Sequence, residues 1–333
     1  MKEASYYETL ENGKVRCNLC PHHCVINLGK TGNCKVRKNV DGTLYSLVYG
    51  KSIAQSTDPI EKKPLFHFYP GSKAFSIATV GCNMHCLHCQ NADISQVTRR
   101  IFPNKKVSPE EIVHAAKKSG AQSIAYTYTE PTIFYEYAYD IAHLAKQEGL
   151  KNVFVTNGYI EQKPLEDIAS VVDAANIDLK GMTDDFYKKV CGAHLQPVLD
   201  AIKQYYELGI WIEITTLVIP EYNDDSEMLS KIARFIANLD SNIPWHVTGF
   251  YPTYRLTDVS PTPGSSLEKA VDIGKKAGLQ YVYQGNRVGG EDTFCPNCGK
   301  QLITRSGFFV SKNLTNRGKC PSCHTSIAGI HIK

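Results

Sequence analysis

From Lys73 onward, short apolar runs alternate with longer stretches in which apolar residues recur every three or four positions. The runs read as strands near 74–80, 123–128, 152–156, 175–180, 210–218 and 246–250. Near-continuous apolar runs of this length, bounded by turn residues, suit strands buried on both faces. The stretches between them read as helices near 109–119, 132–148, 163–172, 195–208 and 226–239, with a last one near 265–277. Ser108-Pro109-Glu110-Glu111 supplies a capping serine, a proline at the first helical position and early acids. Gly120, Gly149, Gly209 and Gly278 stand where helices should stop. Regular strand–helix alternation predicts an α/β fold with parallel strands joined by crossover helices.

Outside this region the pattern changes. Residues 1–72 carry Cys17, Cys20, Cys24 and Cys34 at C-x2-C-x3-C-x9-C, with Gly29 and Gly32 between them. So few apolar residues cannot bury much of a core, so a metal would supply the folding energy. Four thiolates suit zinc or a second iron–sulfur cluster, and zinc is the preferred expectation. His22 and His23 are read as surface residues, with a ligand role as the alternative. A short strand is expected from Thr43 to Tyr49. The stretch from Asp58 to Gly71 holds three prolines and a closing glycine and reads as a boundary loop. In that loop Lys62 and Lys63 read as a solvated pair, the alternative being a role facing an anion near the strand ends. Residues 73–290 form the strand–helix region. Residues 291–333 hold Cys295-x2-Cys298 and Cys320-x2-Cys323, two knuckles that predict a zinc ribbon.

Composition narrows the picture only a little. The chain has 333 residues, 42% of them hydrophobic and 21% charged, as an ordinary globular protein has. Its formal charge is +4, from 37 basic against 33 acidic residues. That is too mild to predict nucleic-acid binding, and no run approaches membrane-spanning length. Eleven of the twelve cysteines fall in three clusters, with Cys191 alone. Clustered cysteines without an export signal read as metal ligands in a cytoplasmic protein.

The third cluster carries the chemistry. Cys82, Cys86 and Cys89, at C-x3-C-x2-C, follow the apolar run Phe75–Val80 directly. Three thiolates can cap three irons of a cubane and leave the fourth iron open to a ligand. A structural zinc knuckle or a redox thiol set is the alternative, but zinc sites usually pair two C-x2-C units. The loop resembles the signature of radical S-adenosylmethionine (SAM) enzymes, including His88 just before the third cysteine. The resemblance implies a [4Fe-4S] cluster that binds SAM by its amino and carboxylate groups. Reductive cleavage of SAM would then give methionine and a 5′-deoxyadenosyl radical that abstracts hydrogen. It also implies a partial (β/α)6, TIM-like barrel with functional groups at the C-terminal strand ends, and a reductant such as flavodoxin or ferredoxin.

Further residues extend the resemblance. Thr129-Glu130-Pro131 stands where the family holds the SAM amino group with a GGE-like motif, although the glycines are missing; a helix-capping Glu130 is the alternative. Asn157 follows the third strand and is assigned to the same cofactor. Asp178 and Lys180 share a strand face and resemble the Asp-Leu-Lys run of glycyl-radical activases such as pyruvate formate-lyase activating enzymes. Cleft residues or a structural pair are the two readings. Asn223 and Asp224 correspond to the SAM ribose side, or cap a helix. His246 corresponds to a histidine near SAM and substrate, or is a satisfied core histidine. Asp178, Lys180 and His246 are the catalytic, substrate-side candidates. With Tyr283-Gln284-Gly285-Asn286 and the outer cysteine sets, nearly the whole chain resembles the radical SAM member of the AmmeMemoRadiSam system. This implies a small-molecule or protein substrate, or AMMECR-like and Memo-like partners. A glycyl-radical activase, a SAM-independent iron–sulfur redox protein and a zinc-ribbon nucleic-acid adapter are the other readings.

Overall fold

In the computed structural model, which describes residues 1–96, 105–287 and 289–332, one eight-stranded sheet runs in unbroken chain order. Its strands are β1 (Ala54–Pro59), β2 (Lys73–Ala78), β3 (Ser123–Tyr126), β4 (Lys151–Thr156), β5 (Ala174–Asp178), β6 (Trp211–Val218), β7 (Trp245–Gly249) and β8 (Val282–Gly285). β1 is antiparallel to β2, with Ala54 opposite Ala78. The other neighbours are parallel, as in Val153 opposite Ala174 and Ile214 opposite Trp245. No pairing joins β1 to β8 among the described residues, so the sheet stays open as a partial barrel.

The six expected strands are all present, and the sheet extends them by one on each side. β1 carries the alternating exposure of an edge strand and the polar sequence Ala-Gln-Ser-Thr-Asp-Pro, so no apolar run announces it. It draws residues 54–59, expected in the N-terminal segment, into the central sheet. β8 is only four residues long.

Helices α1 (Pro109–Lys118), α2 (Tyr135–Gln147), α3 (Gln162–Ala169), α4 (Leu195–Glu207), α5 (Ser226–Leu239) and α6 (Gly264–Lys276) lie between the parallel strands. The capping box of α1 is complete. Ser108 Oγ accepts from Glu111 N–H at 3.2 Å, and Glu111 Oε2 accepts from Ser108 N–H at 2.7 Å. α5 starts at Asp225, whose carboxylate accepts from Met228 N–H at 2.8 Å. It buries Met228, Leu229, Ile232, Ala233 and Ile236, one helical stripe. Each large apolar side chain so buried contributes about 1.5–3 kcal/mol.

Smaller units flank the sheet. Two three-stranded sheets form the N-terminal part, Lys2–Glu3 with Arg37–Val40 and Thr43–Ser46, and Tyr7–Thr9 with Val15–Cys17 and Val25–Ile26. The buried pair Arg37–Glu136, at 2.9 Å, ties this part to α2. At the C-terminus, β9 (Gln301–Ser306) and β10 (Phe309–Asn313) form a hairpin beside Thr293–Phe294. Leu302, Ile303 and Ile327 pack there against Phe66, Tyr281 and Tyr283. No helix among the described residues is long and apolar enough to cross a membrane.

Candidate functional site

The cysteine loop leaves β2 at its C-terminal end. Gly81 takes φ +100°, and a Cβ there would lie 2.9 Å from the Cys34 carbonyl oxygen, so only glycine fits the approach to the N-terminal part. Backbone bonds pin the loop. His85 N–H donates to Cys191 O at 2.8 Å, Leu87 N–H to Val190 O at 2.9 Å, and Arg255 N–H to Leu87 O at 3.0 Å. The thiols are also held: Met84 N–H lies 3.4 Å from Cys82 Sγ, Asn157 Nδ2 3.7 Å from the same sulfur, and Ser95 Oγ 3.0 Å from Cys89 Sγ.

Cys82, Cys86 and Cys89 open on one cleft. Its walls come from the C-terminal ends of the strands: Thr129 and Glu130 after β3, Asn157 after β4, Asp178 at the end of β5 and Lys180 just after it, Thr215 from β6, Thr248 from β7 and Asn286 after β8. Phe308, at the turn of the β9–β10 hairpin, reaches the same cleft. His88 lines it too, with a buried Nδ1 that has no partner among the described residues. Burial, reinforced by the Lys180 charge, pushes the His88 imidazole down to about 3, so it is neutral. The lone Cys191 lies against Cys86 but does not line the cleft. Three thiols on an open cleft, with an unpartnered buried nitrogen beside them, fit a cluster with one open iron and a ligand upon it.

The cleft brings together most, though not all, of the residues singled out in the sequence. Asp178 and Lys180 pair at 2.8 Å. Burial pushes the Lys180 ammonium down, but the Asp178 carboxylate, together with the neighbouring Cys86 and Cys191, more than offsets this and holds it up. Thr129 Oγ1 donates to Thr79 O at 2.8 Å. The Glu130 carboxylate is occupied from within. Oε1 accepts from Thr132 N–H at 3.0 Å, Thr132 Oγ1 at 2.7 Å and Thr156 Oγ1 at 2.8 Å, and Oε2 accepts from Asn157 N–H at 2.8 Å. It caps the short 3-10 turn Pro131–Phe134. Asn157 in turn donates to Asn83 Oδ1 at 2.9 Å, fixing the residue next to Cys82.

Four expected contributors lie elsewhere, the first being Pro131, buried at the start of the Pro131–Phe134 turn and not on the cleft. Asn223 is fully buried: its Oδ1 accepts from Ile219 N–H at 2.6 Å, and its Nδ2 donates to the carbonyls of Lys180 and Leu217 at 2.8 Å each. Its side chain braces the turn after β6 and has nothing left for a ribose. Asp224 accepts from Glu221 N–H at 3.0 Å and does not line the cleft, while the helix cap is its neighbour Asp225. His246 is the second residue of β7, so it sits at the strand's N-terminal end, away from the mouth. There its Nε2 meets Glu213 Oε2 at 2.7 Å, and its ring stacks on Tyr283. Glu213 also accepts from Phe66 N–H at 2.9 Å, His67 N–H at 2.7 Å and Trp211 Nε1 at 3.1 Å. Burial pushes Glu213 up, and these partners, His246 foremost, more than offset it to hold the carboxyl low. His246 is therefore part of a polar floor beneath the sheet.

Asp58 escaped the sequence reading. It accepts from Lys62 and Lys63 at 2.8 Å each, from Tyr128 at 2.7 Å and from Ser76 at 3.0 Å. Lys63 is buried on this carboxylate while Lys62 stays exposed, so the two are not a solvated pair, and the anion they share is internal. Asn176, Thr215 and Thr248 also line the cleft unannounced. The one available signal was the period of two that turns them to the same side as Asp178.

Two further thiol sets flank the sheet. Cys295, Cys298, Cys320 and Cys323 bring four sulfurs within 4.8 Å of one another, a group that can hold a metal ion. Cys17, Cys20, Cys24 and Cys34 face a separate small cavity, which His22 also lines. His22 is half-buried and lies 2.6 Å from Asn83 O, so it is no surface residue.

Known proteins agree with this geometry. Residues 76–235 match the Radical SAM superfamily. An uncharacterized protein of Methanocaldococcus jannaschii is 50% identical over 308 residues, 92% of either chain. The pyruvate formate-lyase 1-activating enzyme of Escherichia coli K12 is 22% identical over 223 residues, 61% of this chain and 89% of that one. Among solved structures, a radical SAM methyltransferase from Sphaerobacter thermophilus superposes with a TM-score of 0.51 at 15% identity, covering 70% of this chain and 71% of that one, which is a likeness of fold.

Proposed function

We propose that this chain, which belongs to the radical SAM superfamily, is an enzyme that removes a hydrogen atom from a substrate docked at the C-terminal strand ends. The observation that carries the reading is the convergence of Cys82, Cys86 and Cys89 on the cleft that Asp178 and Lys180 also line. When bound, a [4Fe-4S] cluster and SAM supply reductive cleavage of SAM and hydrogen-atom abstraction. The three thiolates hold the cluster, and Asn157 and Ser95 orient Cys82 and Cys89. Thr129, Glu130 and Asn157 form the cofactor wall, with Pro131 buried behind it in the turn. Because the Glu130 carboxylate already has four donors, the ammonium of SAM falls to backbone carbonyls of this turn. Asp178 and Lys180 form the substrate wall, where a charged pair can orient a polar group.

Similarity to pyruvate formate-lyase activating enzymes favours one narrower reading, a protein substrate whose residue enters the cleft. The resemblance to the AmmeMemoRadiSam system favours AMMECR-like or Memo-like partners. A flavodoxin or ferredoxin is the fitting reductant. Twelve cysteines without a disulfide suit the cytoplasm, and zinc is the fitting ion for the C-terminal set.

Anaerobic reconstitution with iron, sulfide, SAM and dithionite tests the reading. The expected result is release of 5′-deoxyadenosine, lost when Cys86 is replaced by alanine. Intact SAM in an iron-replete preparation would overturn it. Hydrogen exchange from a deuterated candidate protein into 5′-deoxyadenosine separates protein from small-molecule substrates.

A further inference from the structure

The three cysteine sets differ in width. In the C-terminal set, Cys295 and Cys323 sulfurs stand 3.5 Å apart and those of Cys298 and Cys320 3.7 Å apart. A tetrahedral zinc with bonds of about 2.3 Å sets its sulfurs about 3.8 Å apart, so this set has the size of a single ion. Among the described residues, no other three histidine, cysteine or carboxylate ligand atoms come within 4.8 Å of one another. The mouth set Cys82, Cys86 and Cys89 is therefore wider, as thiolates on three separate irons must be. The N-terminal set is wider as well.

What lies between the N-terminal thiols is a hollow. Cys17, Cys20, Cys24 and Cys34 face one small cavity, walled otherwise mainly by apolar groups of Leu19, Ile26 and Ile133. Thiols set too far apart for one ion, around a cavity with apolar walls, suit several metals in place of one. We propose that Cys17, Cys20, Cys24 and Cys34 ligate a second [4Fe-4S] cluster, in place of the zinc expected from their sequence spacing.

The walls suit a cluster in two further respects. Its sulfurs need hydrogen-bond donors, and donors are present. Asn33 N–H lies 3.4 Å from Cys24 Sγ, and Arg37, which lines the cavity, keeps a buried Nε–H without a partner among the described residues. A cluster with four thiolates is anionic, and the Arg37 guanidinium is a buried cation held by Glu136 at 2.9 Å. The site also adjoins the mouth loop. Asn33 bonds His22 at 3.1 Å and His85 at 3.0 Å, and His22 meets Asn83 O at 2.6 Å, next to Cys82.

Metal analysis of the full chain, purified anaerobically and reconstituted with iron and sulfide, tests the assignment. The expected content is about eight irons and about one zinc per chain. The triple variant C82A/C86A/C89A should keep about four irons and a reducible cubane signal in electron paramagnetic resonance, and adding C20A and C24A should remove both. The C295S/C320S variant should lose its zinc and keep its iron. About four irons with about two zincs in the wild type would overturn the proposal. So would a folded triple variant that is free of iron. Should the triple variant fail to fold, the wild-type iron-to-zinc ratio decides alone, and it does so whether or not SAM is cleaved.

Discussion

Replacing Glu130 by glutamine separates a carboxylate that serves its own strand ends from one reserved for a ligand. Its Oε1 accepts three hydrogen bonds, from Thr132 N–H and the Thr132 and Thr156 hydroxyls, and its Oε2 accepts one, from Asn157 N–H. In the amide, one oxygen becomes an NH2 group. With that group at the Oε2 position, donor faces donor, and the Asn157 N–H is left buried without a partner. One orphaned backbone donor costs about 1–3 kcal/mol. The other three bonds lose their charge assistance, but a neutral amide is also cheaper to bury than a carboxylate. The two effects oppose each other, in keeping with burial outweighing the bonds and pushing this carboxyl above its ordinary value. The net expectation is a loss of about 1–3 kcal/mol for Glu130→Gln. For Glu130→Ala, which also strands Thr132 N–H, it is about 2–6 kcal/mol. Chemical denaturation under anaerobic conditions measures the loss, and calorimetric titration of the reconstituted variant measures SAM affinity, expected to weaken less than about threefold for the amide. If Glu130→Gln unfolds like the wild type while its SAM dissociation constant rises tenfold or more, a difference of about 1.4 kcal/mol, the carboxylate's main partner is the ligand and the reasoning fails.

Two more perturbations probe the floor of the sheet. His246→Ala removes the partner of buried Glu213 and should cost about 3–5 kcal/mol of stability, as breaking a buried pair does. Its SAM affinity should hardly change, and a weakened affinity without lost stability would return His246 to the mouth. His67, fully buried, donates Nδ1–H to Ala328 O and accepts from Tyr283 OH, both at 2.6 Å. Burial pushes it down to about 4. The unfolded chain binds this proton below its ordinary value of about 6.5, and the folded chain does so only near 4. Stability present above that ordinary value is therefore lost as pH falls through the window between the two, by about 3 kcal/mol. His67→Gln should flatten the stability profile across that window by a similar amount relative to wild type. Parallel profiles in denaturation experiments would show that His67 titrates normally.

The sequence alone determined what depends on neighbours along the chain. Six strands and six helices were legible because hydrophobic period, the Ser108 cap and the glycine stops are local, and each such glycine takes φ between +71° and +98°. The three cysteine sets were legible for the same reason, since ligand spacing is written in a few residues. Tertiary structure decided what each polar group faces. Asn223 has a cofactor-like position in sequence, yet one of its acceptors is the carbonyl of Lys180, 43 residues away. His246 and Glu213 meet only because β6 and β7 lie side by side in the sheet. Asp58 gathers its lysines, Tyr128 and Ser76 on an edge strand too polar to be seen as one. The widths of the thiol sets are likewise a matter of packing, because residue spacing limits how far apart two sulfurs can be but not how near the fold brings them. A buried polar group must find partners wherever the fold supplies them, and those partners are distant in sequence.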